Sequence, residues 1–237
     1  MDDDLDPELV GELLGLLAHD LRNPLSALHS NVGFLGSALE NIDEEMREAL
    51  SDTLVSCDGL AHIIDNMEVL ALALTGRSGL PRARFDLWPV LLETVGRNQA
   101  LARSHDVELL LDEAAPAGTA HVECHRDMLT RAIGNLVRNS IQHSSSGSPA
   151  VSVSLNPSGK NYVVRVRDGG MPLSDQLRSE GFTARGQLVA KSARGGRYSR
   201  GLGLFSARVA ALAAGASVRA APEADGSNVF ELVVAKV

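Results

Sequence analysis

The sequence of 237 residues predicts an α+β protein in which an antiparallel two-helix hairpin precedes a mixed α/β domain. Three observations predict this fold class. Apolar residues recur at steps of three and four between residues 7 and 74, with one interruption near residues 40–44. Two glycines and a proline within residues 76–84 end that pattern. After them, helical periods alternate with short strand-like runs.

Composition excludes several classes of protein. Hydrophobic residues make up 44% of the chain and charged residues 22%, which is typical of a folded globular protein. The net charge of −8 argues against nucleic-acid binding, and no apolar run is long enough for a membrane span. Two cysteines are too few for a disulfide framework and favour a reducing compartment, so we expect a cytoplasmic protein. Five acidic residues form an N-terminal tail: Asp2, Asp3, Asp4, Asp6 and Glu8.

The first predicted helix covers residues 7–40 and the second covers residues 46–74. A short loop between two long helices predicts antiparallel packing. A hairpin alone cannot bury apolar stripes of this length, so we expect two copies to form a dimeric four-helix bundle. The stripe of the first helix consists of Val10, Leu13, Leu17, Leu21, Leu25, Leu28, Val32, Leu35 and Leu39. That of the second consists of Met46, Leu50, Leu54, Cys57, Ala61, Ile64, Met67, Ala71 and Leu74.

The predicted domains are residues 1–76 for the hairpin, 77–84 for a linker and 85–237 for the second domain. Helical patterns in the second domain cover residues 86–104, 125–143 and 201–214. Strand-like runs cover residues 107–111, 151–155, 162–166, 217–221 and 229–234.

The first helix carries polar residues that its apolar stripe does not explain. His19 and Asn23 lie one turn apart on the face opposite the stripe, and Pro24 follows inside the helix. An internal proline removes a hydrogen bond and costs about 3 kcal/mol. Taken alone, His19 is most simply a surface histidine beside a solvated Asp20–Arg22 pair. A neutral imidazole is also a competent nucleophile near neutral pH, and an adjacent carboxylate can orient it.

The heptapeptide His-Asp-Leu-Arg-Asn-Pro-Leu at residues 19–25 closely resembles the phospho-acceptor motif of sensor histidine kinases. The hairpin around it resembles their dimerisation and histidine-phosphotransfer domain. The resemblance implies that His19 accepts a phosphoryl group and that Asp20 is the base. It also implies that Asn23 positions water for dephosphorylation of a response regulator.

Residues 135–144 resemble the N box of the same family. Asn135 and Asn139 present two amides on one helix face. By resemblance, Asn139 holds Mg²⁺ and Asn135 lies near the phosphates of ATP. Many family members have a basic residue where Gln142 stands here, and the candidates to replace it are Arg138, one turn earlier, or an arginine of the predicted lid.

Two glycine-containing motifs resemble the family's glycine boxes. Asp168-Gly-Gly-Met-Pro follows a strand-like run, and the resemblance implies that Asp168 binds the adenine amino group and that Gly170 contributes to the pocket. The family has glycine where Pro172 and Ser199 stand here. The second motif, Ser-Arg-Gly-Leu-Gly-Leu at residues 199–204, begins a helical pattern. Its glycines and the helix N-terminus predict contact between the backbone and phosphates. Its candidate residues are Gly201, Leu202, Gly203 and Leu204.

Residues 173–200 are predicted to form a basic lid over the nucleotide, and Phe182 is carried over as the family's aromatic residue. Residues 121–125, His-Val-Glu-Cys-His, contain three types of potential zinc ligand. A structural zinc site requires a second ligand cluster, which the sequence lacks, so we do not predict zinc there.

The sequence therefore predicts an ATP-dependent protein-histidine kinase with an α/β-sandwich ATPase domain of the gyrase and heat-shock-chaperone type. Its cofactors would be ATP and Mg²⁺, and its partners a second copy and the receiver domain of a response regulator. The two predicted domains use the whole chain, so a sensor is expected on a separate partner or a longer chain. The alternatives are an ATP-independent histidine phosphotransfer protein and a non-enzymatic anti-sigma-type binding module.

Overall fold

A computed structural model describes residues 6–39, 42–75, 80–112, 120–144, 150–186, 202–223 and 225–237. The chain divides into two compact units, Met1–Arg77 and Ser78–Val237. The first is a helical hairpin and the second is an α/β unit with a mixed sheet, which confirms the predicted fold class. None of the helices in the described ranges has the length and apolarity that a membrane span requires.

The hairpin consists of α1 (Pro7–Ala38) and α2 (Glu44–Leu74). Both helices begin at an acidic N-cap. The Asp6 side chain accepts a hydrogen bond from the backbone N–H of Glu8, and Asp43 accepts one from Met46. α1 continues through Pro24. The helices are antiparallel, since Gly11 near the start of α1 lies against Ala71 near the end of α2.

The residues of α1 that are buried within the single chain are smaller than leucine. Gly11, Ala18 and Val32 are the buried residues of α1. On α2, the predicted positions Cys57, Ile64 and Ala71 are buried. Five leucines of the predicted α1 stripe are instead 45–54% exposed within the single chain, and we call them the outer leucine stripe: Leu13, Leu17, Leu21, Leu28 and Leu35. The outer leucine stripe is therefore left open by the single hairpin, while Gly11 and Ala18 are buried within it.

The second unit contains four helices and seven strands in its described residues. The helices are α3 (Leu87–Ser104), α4 (Arg126–His143), α5 (Asp175–Glu180) and α6 (Gly203–Ala214). The strands are β1 (Ala83–Asp86), β2 (Glu108–Leu111), β3 (His121–Cys124), β4 (Ala150–Ser158), β5 (Asn161–Asp168), β6 (Ser217–Pro222) and β7 (Asn228–Ala235).

Five strands form a mixed sheet in the order β2-β4-β5-β7-β6, with β2 parallel to β4 and the other pairs antiparallel. Alternate residues of the central strands are buried, as expected for a sheet with one face in the core. α4 packs against α3, α6 and the sheet. This packing brings the end of β5 and the start of β7 to the same edge as the C-terminal end of α4, since Asp168 pairs with Asn228.

A second, two-stranded sheet pairs β1 with β3, and neither strand is predicted from the sequence. β1 begins at Ala83, so the last two residues of the predicted linker lie in this sheet. In β3 the residues alternate in burial, with Val122 and Cys124 buried. The residues that suggested a zinc cluster are therefore divided between two faces of a strand. His125 begins the next helix, where its Nδ1 accepts a hydrogen bond from the backbone N–H of Met128.

Candidate functional site

The acceptor turn of α1 presents an imidazole and a carboxylate to solvent. The side chains of His19 and Asp20 are 73% and 78% exposed, as the helical wheel predicts for His19. Nδ1 of His19 lies 3.3 Å from Oδ1 of Asp20. In the tautomer with the proton on Nδ1, the imidazole donates this hydrogen bond, and the lone pair on Nε2 faces away from Asp20. The pair therefore has the arrangement of a nucleophile oriented by a neighbouring carboxylate.

Asn23 is exposed one turn after His19, and Pro24 is exposed beside it. The surface pair between Asp20 and Arg22 that the simplest interpretation expects is not formed. Arg22 instead reaches α2, where its Nη2 donates hydrogen bonds to Asp65 at 2.9 Å and to Glu68 at 2.7 Å. Asp20 is consequently left to interact with the imidazole.

The second site lies at the end of β5, around a buried carboxylate. Asp168 is 1% exposed. Its Oδ1 accepts hydrogen bonds from the backbone N–H of Gly170 at 3.0 Å and from Nδ2 of Asn228 at 2.9 Å. Both groups donate to Oδ1, so Oδ2 is the carboxylate atom that can accept a hydrogen bond from a ligand. A buried carboxylate with an oxygen that neither of these donors occupies matches an exocyclic amino group.

Gly170 lies where a side chain has no room. A Cβ at this position would overlap the backbone carbonyl oxygen of His143, at the C-terminal end of α4. Glycine therefore permits the chain after Asp168 to pass directly over the end of α4. This contact joins the carboxylate at the end of β5 to the helix that carries the predicted N box.

A buried amide of α4 lies beside the first turn of α6. Asn135 is 3% exposed, and its Nδ2 donates a hydrogen bond to the carbonyl oxygen of Arg131. Its Oδ1 is buried and has no hydrogen-bond partner among the described residues. A Cβ on Gly203 would lie 3.9 Å from that oxygen. Asn139 and Arg138, on the next turn of α4, are each half-buried.

α6 begins at Gly203, two residues later than predicted, with Leu202 as its N-cap. Leu202 is exposed and makes no side-chain capping hydrogen bond, whereas Leu204 is buried. The first-turn N–H groups of α6 are therefore not capped by the N-cap side chain. A helix N-terminus of this kind favours an anionic group such as a phosphate.

Part of the predicted site lies outside the described residues. This applies to Gly201, to Ser199 and to residues 187–200 of the predicted lid. Of the lid residues that are described, Phe182 is buried and packs edge-on against Phe230 of β7, with ring centroids 6.2 Å apart.

Asn228 is a site residue that the sequence does not reveal. It is 7% exposed, and all three of its side-chain hydrogen bonds serve the segment around Asp168. Nδ2 donates to Asp168 and to the carbonyl oxygen of Met171, and Oδ1 accepts from the backbone N–H of Leu173. The only sequence signal is a polar residue at the start of an apolar strand, and its partner is 60 residues away.

Two family models match the chain. The model "His Kinase A (phospho-acceptor) domain" matches residues 9–73. The model "Histidine kinase-, DNA gyrase B-, and HSP90-like ATPase" matches residues 124–236. The first match contains the acceptor turn, and the second contains Asp168, the amides of α4 and the start of α6.

Curated relatives are similar over much of this chain. The sensor protein CopS of Pseudomonas syringae pv. tomato is 28% identical over 160 residues, which cover 68% of this chain and 31% of the relative. The sensor protein KdpD of Clostridium acetobutylicum is 23% identical over 235 residues, which cover 96% of this chain and 25% of the relative. The chain thus spans less than a third of the length of these relatives.

Solved structures share the fold. A full-length ShkA structure in complex with AMPPNP matches 96% of this chain and 47% of its own, with a TM-score of 0.63 and 20% identity. The Acinetobacter baumannii histidine kinase AdeS matches 92% of this chain and 98% of its own, with a TM-score of 0.56 and 17% identity.

Proposed function

Since the chain belongs to the histidine kinases, with a phospho-acceptor domain followed by their ATPase domain, we propose that it transfers the γ-phosphoryl group of ATP to His19. The observation that carries this proposal is the acceptor turn. There an exposed imidazole has its Nδ1 beside a carboxylate and its Nε2 directed away from it. The phosphoryl group then passes to an aspartate on the receiver domain of a response regulator.

In the first step, the lone pair on Nε2 of His19 attacks the γ-phosphorus of ATP. A nitrogen–phosphorus bond forms while the bond from that phosphorus to the bridging oxygen breaks, and ADP leaves with the electron pair. The imidazole gains positive charge as the bond forms. Asp20 stabilises that charge through its hydrogen bond with Nδ1–H and can accept the proton.

The second unit binds the nucleotide in this proposal. Oδ2 of Asp168 accepts a hydrogen bond from the exocyclic amine of adenine, and the N-terminus of α6 faces the phosphates. Asn135 contributes the oxygen that lacks a partner among the described residues, and Arg138 contributes positive charge near the phosphates. Leu202 and Leu204 place apolar surface at the start of α6, with Gly203 between them. Gly201 belongs to this proposal on the family resemblance alone.

The donor set suits Mg²⁺ held mainly by the substrate. Among the described residues, no three His, Cys, Asp or Glu side chains group as a metal site. Asn139 offers one neutral amide oxygen beside Asn135, and Mg²⁺ readily takes its other ligands from phosphates and water. Asn139 would therefore hold the ion, which neutralises charge on the phosphates when bound.

The hairpin serves the second transfer and the later hydrolysis of the phosphorylated aspartate. Asn23 is exposed one turn from His19, where its amide can orient a water molecule toward a phosphorylated aspartate of a docked receiver domain. The outer leucine stripe supports pairing of two copies into a four-helix bundle. A cytoplasmic location and a sensor carried by another protein or segment complete the proposal. Both cysteines are free and buried, which fits a reducing compartment.

Equilibrium binding of a non-hydrolysable ATP analogue with Mg²⁺ tests the nucleotide half of this proposal. We expect saturable binding that the substitution Asp168→Asn weakens. Absence of binding at millimolar analogue would contradict the kinase proposal and favour ATP-independent phosphotransfer. A chain that binds the analogue but is never phosphorylated on His19 would favour a non-enzymatic binding module.

A further inference from the structure

Arg22 is the residue that attaches the acceptor turn to the rest of the hairpin. Within residues 19–24, five side chains are exposed and only Arg22 is half-buried: the exposed ones are His19, Asp20, Leu21, Asn23 and Pro24. The buried Ala18 precedes this stretch. Within this stretch, Arg22 is the least exposed residue and reaches α2 through ion pairs to Asp65 and Glu68.

The backbone of this stretch is weakened at the same place. Pro24 has no N–H, so the carbonyl oxygen of Asp20 lacks the helical hydrogen bond that residue 24 would otherwise donate. Asp20 is also the residue whose side chain meets the imidazole. The orientation of His19 and Asp20 is thus held less firmly by the helix itself than elsewhere in α1.

Arg22 compensates through two ion pairs to α2. Its Nη2 donates to Oδ1 of Asp65 at 2.9 Å and to Oε1 of Glu68 at 2.7 Å, and all three side chains are only 30–40% exposed. The hydrogen bond with Asp65 raises the pKa of Arg22, and although burial opposes this, the interactions with Glu68 add to the increase. The guanidinium remains charged and also relieves repulsion between the two carboxylates, which lie three residues apart on α2.

We propose that Arg22, Asp65 and Glu68 form a latch that positions the acceptor turn, so that Nε2 of His19 and the carboxylate of Asp20 keep one orientation during phosphoryl transfer. Arg22 is a positioning residue in this scheme, since it acts through the backbone of α1. The inference rests on the proposed transfer from ATP to His19.

The test compares full-length variants in two phosphorylation reactions. The first varies Mg-ATP up to saturation and measures the maximal rate of His19 labelling and the KM for ATP. The second uses phosphoramidate, a small donor that phosphorylates imidazole directly and requires no alignment with the ATPase unit. Arg47→Gln is the matched control, since Arg47 is an exposed arginine of the same hairpin that pairs with Glu44 within α2.

We expect Arg22→Gln to slow labelling from ATP about tenfold, because small errors in alignment are costly in transfer reactions. The KM for ATP and the rate with phosphoramidate should not change. Asp65→Asn combined with Glu68→Gln should give the same loss, and adding Arg22→Gln should slow labelling no further. Arg22→Lys should recover part of the rate, because it retains a charged donor, and Arg47→Gln should behave as wild type.

Several results would overturn the latch. If Arg22→Gln is labelled from ATP at the wild-type rate, the acceptor turn does not require Arg22. A loss that the Asp65 and Glu68 double variant does not share would show that Arg22 acts in another way. Equal losses with ATP and phosphoramidate, together with reduced helical circular dichroism, would indicate a structural role only. If wild-type protein accepts no phosphate from ATP, the proposed function itself fails and the latch fails with it.

Discussion

The hairpin and the second unit expose their functional groups in opposite ways. In the hairpin, the side chains of His19 and Asp20 are 73% and 78% exposed, and the outer leucine stripe is also open to solvent. In the second unit, Asp168 is 1% exposed and Asn135 is 3% exposed. Exposed groups on a helix suit contact with another protein, whereas buried polar groups suit recognition of a small molecule.

This difference predicts two kinds of mutational effect. Substitutions on the hairpin surface should change association or transfer and leave the fold of the single chain intact. Substitutions in the pocket should change binding and stability together, because each buried polar group there also satisfies its neighbours.

The largest effect is expected on the outer leucine stripe. Leu28→Asp with Leu35→Asp should raise the dissociation constant of the proposed dimer about 100-fold, since two leucines would leave its interface and charges would enter it. Sedimentation equilibrium measures this constant, and circular dichroism should show unchanged helix content. Leu212→Asp is the control, because Leu212 is 59% exposed on α6 of the other unit. An unchanged dimer in the double variant would contradict pairing through this stripe.

In the pocket, Asp168→Asn should weaken binding of the ATP analogue about 30-fold, or about 2 kcal/mol, through loss of a charge-assisted hydrogen bond. Isothermal titration calorimetry measures the affinity. Asp225→Asn changes a carboxylate that lies on the surface of the same unit and should bind as wild type. Equal affinity in wild type and Asp168→Asn would contradict the proposal that Asp168 binds adenine.

Asn228→Ala should weaken analogue binding about tenfold and also lower the melting temperature. The substitution removes partners from Asp168 and from the backbone N–H of Leu173, and unsatisfied buried groups cost about 1–3 kcal/mol each. Calorimetry and thermal melts measure the two effects. Asn156→Ala removes an exposed amide from β4 and is the control. A lower melting temperature with unchanged affinity for the analogue would show that Asn228 supports the fold but not nucleotide binding.

The smallest effect is expected at Glu231, away from both sites. Burial alone would raise the pKa of Glu231, but hydrogen bonds from Arg219 and Arg165 outweigh burial and hold it below its usual value. A lowered pKa means that ionised Glu231 stabilises the fold above the unfolded-state pKa, and that this contribution is lost as pH falls through the folded-state pKa.

Glu231→Gln should therefore lower stability by about 1 kcal/mol at neutral pH and flatten its decline in acid. Urea unfolding across the acid range measures the curve. Glu108→Gln, at an exposed position of β2, should leave it unchanged. A Glu231→Gln curve parallel to that of wild type would contradict the assignment of this acid-sensitive contribution.

The sequence predicts best what depends on neighbouring residues. Helical periods predict both hairpin helices and the exposure of His19, because these properties follow from local spacing. The face of α1 that packs against α2 is set by contacts between residues far apart in the sequence. α1 carries two apolar stripes, and periodicity favours the one rich in leucine, whereas the close approach at Gly11 and Ala18 selects the narrower one.

Long-range pairing explains the remaining differences. β1 has only four residues and no clear alternation of apolar and polar side chains. The sequence of β3 suggests metal ligands, and only its pairing with β1 identifies it as a strand. Sequence position suggests Asp20 as the partner of Arg22, but its partners lie more than 40 residues away on α2. The role of Asn228 likewise depends on a strand register that pairs it with Asp168.

The most direct measurement is the fate of the γ-phosphoryl group. The protein is incubated with γ-labelled Mg-ATP as wild type, as His19→Ala and as His29→Ala, the last being a second exposed histidine of α1. We predict acid-labile, alkali-stable label on wild type and on His29→Ala, and none on His19→Ala, with similar melting temperatures for all three. Label that persists on His19→Ala would contradict the assignment of His19 as the phosphoryl acceptor.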